Sequence, residues 1–140
     1  MTDRVLVPVD DSPLAADALD YVFNRRPEAA VTALHVSDPT LGMNRLIAGG
    51  GFDDWYDDAC RETAELFESA HGIAEAHGRE IETTHEIGDP GRTVCEYAAA
   101  NPIDEIVMGS HGRHGTVRFL LGSVAEHVVR HAPVPVTVVK

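Results

Sequence analysis

At 140 residues, with 44% hydrophobic and 24% charged residues, the chain has globular composition and suits one domain with a real core, not two. Its 23 Asp and Glu against 11 Lys and Arg give a net charge of −12, which excludes generic binding to nucleic acid or to anionic membranes. No apolar stretch approaches the roughly 18 residues of a membrane span.

Arg4 to Val9 (RVLVPV) is a β-branched apolar run that stops at Asp10-Asp11-Ser12-Pro13 and predicts a first strand. Thr2-Asp3-Arg4 leads into it without a signal-peptide hydrophobic region, so a cytoplasmic location is expected. Ser12 followed by Pro13 predicts a helix start, with the hydroxyl as N-cap and proline at the first helical position. Leu14, Ala18, Leu19, Val22 and Phe23 share one face of that helix, up to Arg25-Arg26-Pro27. Ala30 to Val36 (AVTALHV) is the second strand. Thr40 to Asp54, holding Gly42 and Gly49-Gly50-Gly51, has no firm period and is expected as a mobile loop. From about Phe52 to His77 a long helix is predicted on Trp55, Ala59, Ala64, Phe67, Ala70, Ile73 and Ala74, with Gly78 as its stop. Glu80 to Ile87 alternates, as an edge strand with one wetter face does. Asp89-Pro90 repeats the cap-and-proline signal and opens a helix from Gly91 to Ala100. Asp104 to Met108 is a strand, Thr116 to Ala132 is mostly helical, and Val134 to Val139 is the last strand. Cys60 and Cys95 are too few and isolated for a disulfide framework or a cysteine zinc site, and are expected as small buried fillers. Strands alternating with helices predict an α/β domain: an open parallel sheet, helices on both faces, and ligands at the carboxyl ends of the strands.

Between the last two strands stand Gly109, Gly112 and, after nine residues, Gly122 followed by Ser123. Glycine leaves the main-chain N–H groups open to close approach. A helix starting near Ser123 adds unpaired N–H groups and a partial positive charge, an anion site without a basic side chain. The Ser123 hydroxyl can cap that helix or donate to a phosphate oxygen. Topology brings Pro8-Val9-Asp10, Leu34-His35-Val36 and Met108-Gly109 to the same end of the sheet. A flat heterocycle between Val36 and Met108, a ribose near Asp10, and phosphates over Gly112, Gly122 and Ser123 fill that crevice. Asp10 is read as a ligand contact, although a turn or cap role is open to it as to Asp11 and Ser12. A triphosphate approaching so acidic a protein needs local positive potential, so at least one of His111, Arg113, His114 and Arg118 is expected to face it. A Walker A loop is excluded because no lysine lies near Gly109 or Gly115, and the dinucleotide fingerprint because Asp10-Asp11-Ser12-Pro13 stands where its glycines belong. His127 and His131 have metal-ligand spacing without a third ligand, and the expected role of Arg130 and His131 is to favour the negative end of the last helix.

The segment GSHGRHGTVRFLLGSVAEHVVRHAPVPVTVVK resembles the universal stress protein family in its nucleotide-binding form, and VLVPVDDS, TALHV and VPVTVVK extend the resemblance end to end. The resemblance implies a single nucleotide-binding domain over residues 1–140, Rossmann-like, with a five-stranded sheet of order 3-2-1-4-5. It places ATP at Pro8, Val9, Asp10, Val36, Met108, Gly109, Gly112, Gly122, Ser123 and Val124; the charge argument adds Arg113 to this candidate set, and Asp10 and Ser123 are read as able to stand near an ATP-bound Mg²⁺, with no metal held by protein alone. It also implies a homodimer paired through Val134 to Val139. The resulting expectation is an ATP-dependent stress sensor or switch acting on a protein partner, with at most slow hydrolysis, since no general base or arginine finger stands out. The alternatives are a nucleotide-free dimeric scaffold on the same fold and a genuine ATPase or phosphotransferase. Acidity with arginine kept and lysine reduced to Lys140 is the pattern of salt-accumulating organisms, so a halophilic protein that loses stability when salt is withdrawn is expected.

Overall fold

In the computed structural model, which describes residues 3–40, 49, 51–111 and 121–140, each apolar run becomes a strand and each helical period a helix. In chain order these are β1 (Arg4–Pro8), α1 (Pro13–Arg25), β2 (Ala30–Ser37), α2 (Phe52–Ala76), β3 (Glu82–Ile87), α3 (Pro90–Ala100), β4 (Glu105–Gly109), α4 (Ser123–His131) and β5 (Val136–Val139). All strand pairs are parallel, in the order β3-β2-β1-β4-β5 expected above. The central strands are apolar throughout because both of their faces are covered. Val5 and Val7 of β1 pack with α1 and α2 residues such as Leu19, Val22, Ala70 and Ala74. Leu6, between them, faces the other way, onto Val94 and Ala98 of α3 and Ala125 and Val128 of α4. Leu6, Leu34 and Ile106 are fully buried, each contributing about 1.5–3 kcal/mol by leaving water. β3 carries no fully buried residue, which agrees with its edge position.

Local chemistry sets the boundaries, with differences from the sequence reading. Gly78 ends α2 at φ +67, a conformation that suits a residue without Cβ. Asp89 caps α3 by accepting from the Arg92 N–H at 3.0 Å. Ser12 occupies the cap position of α1, yet its hydroxyl makes no cap bond; instead its N–H donates to Asp10 Oδ1 at 2.9 Å. α2 begins at Phe52, as the helical period predicts, so Phe52, Asp53 and Asp54, which the loop reading also spanned, form its first turn, where the two carboxylates favour the helix dipole. Positions 41–48 and 50 of that loop lie outside the described residues, as do 112–120 of the glycine loop and of the helix expected from Thr116. The last strand begins at Val136, because Pro133 and Pro135 interrupt the run. Cys60 and Cys95 are half-buried and free, not buried fillers; desolvation, then the Glu96 charge, pushes the Cys95 thiol above its ordinary range. At the amino ends of the strands, Arg26 bridges Asp3 and Glu105, and Thr137 Oγ1 donates to Glu105 at 2.6 Å. No helix among the described residues is long and apolar enough to cross a membrane.

Candidate functional site

The chain leaves β1 toward α1 and β2 on one side and leaves β4 toward α4 and β5 on the other. Between these divergent paths a crevice opens at the carboxyl ends of the strands, the switch point where open α/β sheets bind ligands. Its apolar walls include Val9, Leu34, Val36, Met108, Val94 of α3 and Val124 with Ala125 of α4, and Pro8, Asp10, Ser12, Gly109 and His111 are among the other lining residues. It encloses about 680 Å³ counting its open mouth.

Of the residues named from sequence, Pro8, Val9, Asp10, Val36, Met108, Gly109 and Val124 line this one crevice. Gly122 and Ser123 stand beside it as the start of α4. Gly112, Arg113, His114 and Arg118 lie outside the described residues; of the four loop groups expected to face phosphates, His111 is the one placed on the wall. Asp10 takes the turn role that sequence left open among three residues, through its Oδ1, while still lining the crevice. Gly109 has a packing reason as well as an exposed backbone, since a Cβ there would come 2.6 Å from Leu14 Cβ in α1.

Two sets of backbone groups border the cavity. The first turn of α4 begins with the Glu126 N–H to Gly122 carbonyl bond at 2.9 Å, so the N–H groups of Ser123, Val124 and Ala125 have no carbonyl within the helix. The expected cap by Ser123 is not formed: Gly122 holds the cap position, no side chain caps the turn, and Ser123 is the first helical residue. A bond from the Gly122 N–H to the Ser110 carbonyl, 2.7 Å, anchors this turn to the end of β4. The second set is at Val36. Leu34 turns its carbonyl toward β1, where Val9 N–H donates at 2.8 Å, and Ser37 turns its carbonyl to the other side, toward Gly88 N–H at 3.0 Å. By strand alternation Val36 carries its N–H and C=O on the β1 side, one step beyond the last β1–β2 pair, Pro8 with Leu34.

A second cavity, larger and acidic, adjoins the crevice through Asp10, His35, Val36 and Pro90 and runs under α2 along Asp38, Trp55, Glu62 and Glu65. Between the two, His35 Nδ1 donates to the Val9 carbonyl at 2.8 Å, and its ring stacks on His85 with centroids 6.0 Å apart. His85 Nε2 lies 2.8 Å from Ser37 Oγ and 3.4 Å from Thr63 Oγ1. Desolvation first, and His35 second, push His85 below the ordinary histidine range, against an opposing pull from Glu86.

His127 and His131 stack at 4.3 Å, but His131 Nδ1 donates to the His127 carbonyl at 2.9 Å. The His127 ring covers Gly91, where a Cβ would come within 3.0 Å, so it serves the close approach of α3 and α4. Among the described residues no three His, Cys, Asp or Glu gather as a metal site. Sequence reasoning missed Pro90 and Val94 as crevice residues. Their signal, a cap-and-proline start, marks a helix and says nothing about which cavity it borders.

The whole chain, residues 1–140, matches the model of the universal stress protein family. Universal stress protein MJ0531 of Methanocaldococcus jannaschii is 35% identical, the match covering 98% of this chain and 81% of that protein. The structure of MJ0577 superposes with a TM-score of 0.85 at 28% identity, covering 100% of this chain and 96% of that one. A universal stress protein from Archaeoglobus fulgidus, solved in complex with dAMP, superposes with a TM-score of 0.72 at 25% identity, covering 99% and 98% of the two chains.

Proposed function

The chain belongs to the universal stress protein family, and we propose that its crevice binds an adenine nucleotide, ATP in the cell. The observation that carries this reading is the pairing, in one switch-point crevice, of an apolar slot with the uncapped first turn of α4. The slot between Val36 and Met108 suits a flat base. The N–H and C=O of Val36 offer a donor and an acceptor side by side, the complement of the N1 and amino edge of adenine. Asp10 is placed for ribose hydroxyls, with one carboxylate oxygen beyond its bond to Ser12. The amides of Ser123, Val124 and Ala125 suit phosphate oxygens without added positive charge. Asp10 and Ser123 are the groups that would stand near Mg²⁺ carried in with ATP, whose charge would offset that of the phosphates. The dAMP held by the Archaeoglobus relative supports the ligand class.

On this reading ATP acts as a signal: its binding sets what the protein presents to a partner, with turnover slow or driven by that partner. β5 completes the unit by pairing with its twin, because it forms the open edge of the sheet next to β4. Calorimetric titration of ATP into the protein and into Gly122→Val tests the site. The variant places a branched side chain where phosphate must approach the α4 amides and should lose at least tenfold in affinity while keeping its fold by circular dichroism. Equal affinity in both, or a parent that binds no adenine nucleotide, would leave a nucleotide-free scaffold as the reading.

A further inference from the structure

His111 stands where β4 has ended and α4 has not begun, on the crevice wall. Its Nδ1 lies 3.0 Å from Ser110 Oγ, while its Nε2 is buried with no hydrogen-bond partner among the described residues. A buried polar nitrogen is ordinarily satisfied, so an orphan on a cavity wall asks what completes it. Ser110 settles which hydrogen the ring carries. It is 4% exposed, and its own N–H and C=O are taken by the Val139 carbonyl at 2.8 Å and the Gly122 N–H at 2.7 Å. The hydroxyl stands 3.0 Å from the ring nitrogen, and among the described residues its hydrogen has one acceptor there, Nδ1. If Nδ1 carried the proton instead, the hydroxyl hydrogen would be buried without a partner and Nε2 would be left as a buried, unpaired acceptor. Donation from Ser110 avoids the first of these costs and makes Nε2 an N–H donor.

We infer that His111 is an N–H donor through Nε2, set in that role by Ser110 at Nδ1, that binds a phosphate oxygen of the nucleotide. The inference rests on the adenine-nucleotide reading and adds one residue with one role to it. Phosphate is the fitting partner because phosphate oxygens only accept. The adjoining residue Ser110 is bonded directly to Gly122, at the α4 turn whose free amides face the same ligand. A fixed donor also gives a chain of net charge −12 a phosphate contact whose strength does not depend on keeping a cation in place.

The test compares AMP with adenosine, which differ only in the phosphate. His111→Phe keeps the ring volume and removes the donor; His111→Gln keeps an amide N–H at similar reach; Ser110→Ala removes the partner at Nδ1. Calorimetry should show His111→Phe weakening AMP by roughly tenfold or more, the effect of one hydrogen bond to a charged acceptor, with adenosine unchanged. His111→Gln should recover most of the loss. Long-range ¹H–¹⁵N spectra of the ligand-free protein should report His111 neutral with its proton on Nε2, and Ser110→Ala should mix the two tautomers. AMP affinity unchanged in His111→Phe, equal losses for AMP and adenosine, or a proton on Nδ1 in the parent would each overturn the inference. A parent that binds neither compound fails the nucleotide reading itself, a different outcome from a binding parent with an indifferent variant. Should His111→Phe fail to fold, the glutamine variant and the tautomer spectra still decide.

Discussion

Substituting Gly109 by alanine probes the point where fold and crevice share one residue. The new Cβ would lie 2.6 Å from Leu14 Cβ and 3.5 Å from the Leu14 carbonyl carbon. Neither atom is the free end of a side chain, so no change of rotamer relieves the clash; α1 or the end of β4 must move. Overpacking of this kind costs roughly 1–3 kcal/mol. With an unfolding entropy of about 2.1 cal/mol/K per residue, a chain of 140 residues loses ~3 °C for each kcal/mol, so Tm should fall by ~3–10 °C. Because Ala15 of the crevice wall lies in α1 and Ser12 stands at its cap, the same shift should weaken ATP several-fold. Gly72 is the matched control: it lies inside α2 with open space where a Cβ would be. Alanine there should raise stability by about 0.5–1 kcal/mol through helix propensity. Thermal melts followed by circular dichroism at one fixed salt concentration measure both. A Gly109→Ala variant melting within a degree of the parent would refute the packing argument.

Further expectations follow from charge, protonation and the open sheet edge. The unfolded chain protonates His85 near pH 6.5, while the folded chain resists because of desolvation and the neighbouring His35. The stabilising effect is thus whole above that pH and lost as pH falls toward the lower folded value. His85→Asn should therefore show a shallower loss of denaturant-measured stability between pH 7 and 5, and an unchanged slope would contradict this. The net charge of −12 predicts a Tm that climbs as KCl is raised from tenths molar to molar, where the screening length shrinks from about 10 Å to about 3 Å; a flat or falling Tm would exclude the halophilic reading. In β5 the Pro135 and Val139 carbonyls point to β4, accepting from Ile106 and Ser110 at 2.9 and 2.8 Å, so Val136 and Val138 turn their backbone outward. Val138→Pro removes an outward donor without touching the β4 ladder and should weaken the proposed dimer at least tenfold by sedimentation equilibrium. A parent monomeric at micromolar concentration and high salt would remove that pairing.

Much of this protein was legible in one dimension because its signals are local. Apolar runs buried on two faces, the Asp89-Pro90 cap, the positive φ required at Gly78, and helical periods depend on neighbours a few residues away, and these elements appear where the sequence places them. Even crevice residues as distant as Pro8, Val36 and Met108 could be grouped, because strand ends in an alternating α/β chain share one edge. Side-chain assignments at boundaries depend on competition that no pattern encodes. Ser12 and Ser123 have the right hydroxyl to cap a helix, yet the Asp10 carboxylate claims the Ser12 amide and Gly122 holds the cap before Ser123. Only the packed fold gives Gly109 its steric reason, lays His127 over Gly91, sets His35 against His85, and leaves His111 Nε2 without a partner. The sequence by itself determined the elements and their order, since those follow from the hydrophobic period; the tertiary structure decided which polar atoms are spoken for, because competing near and distant partners are ranked only once packing sets their geometry.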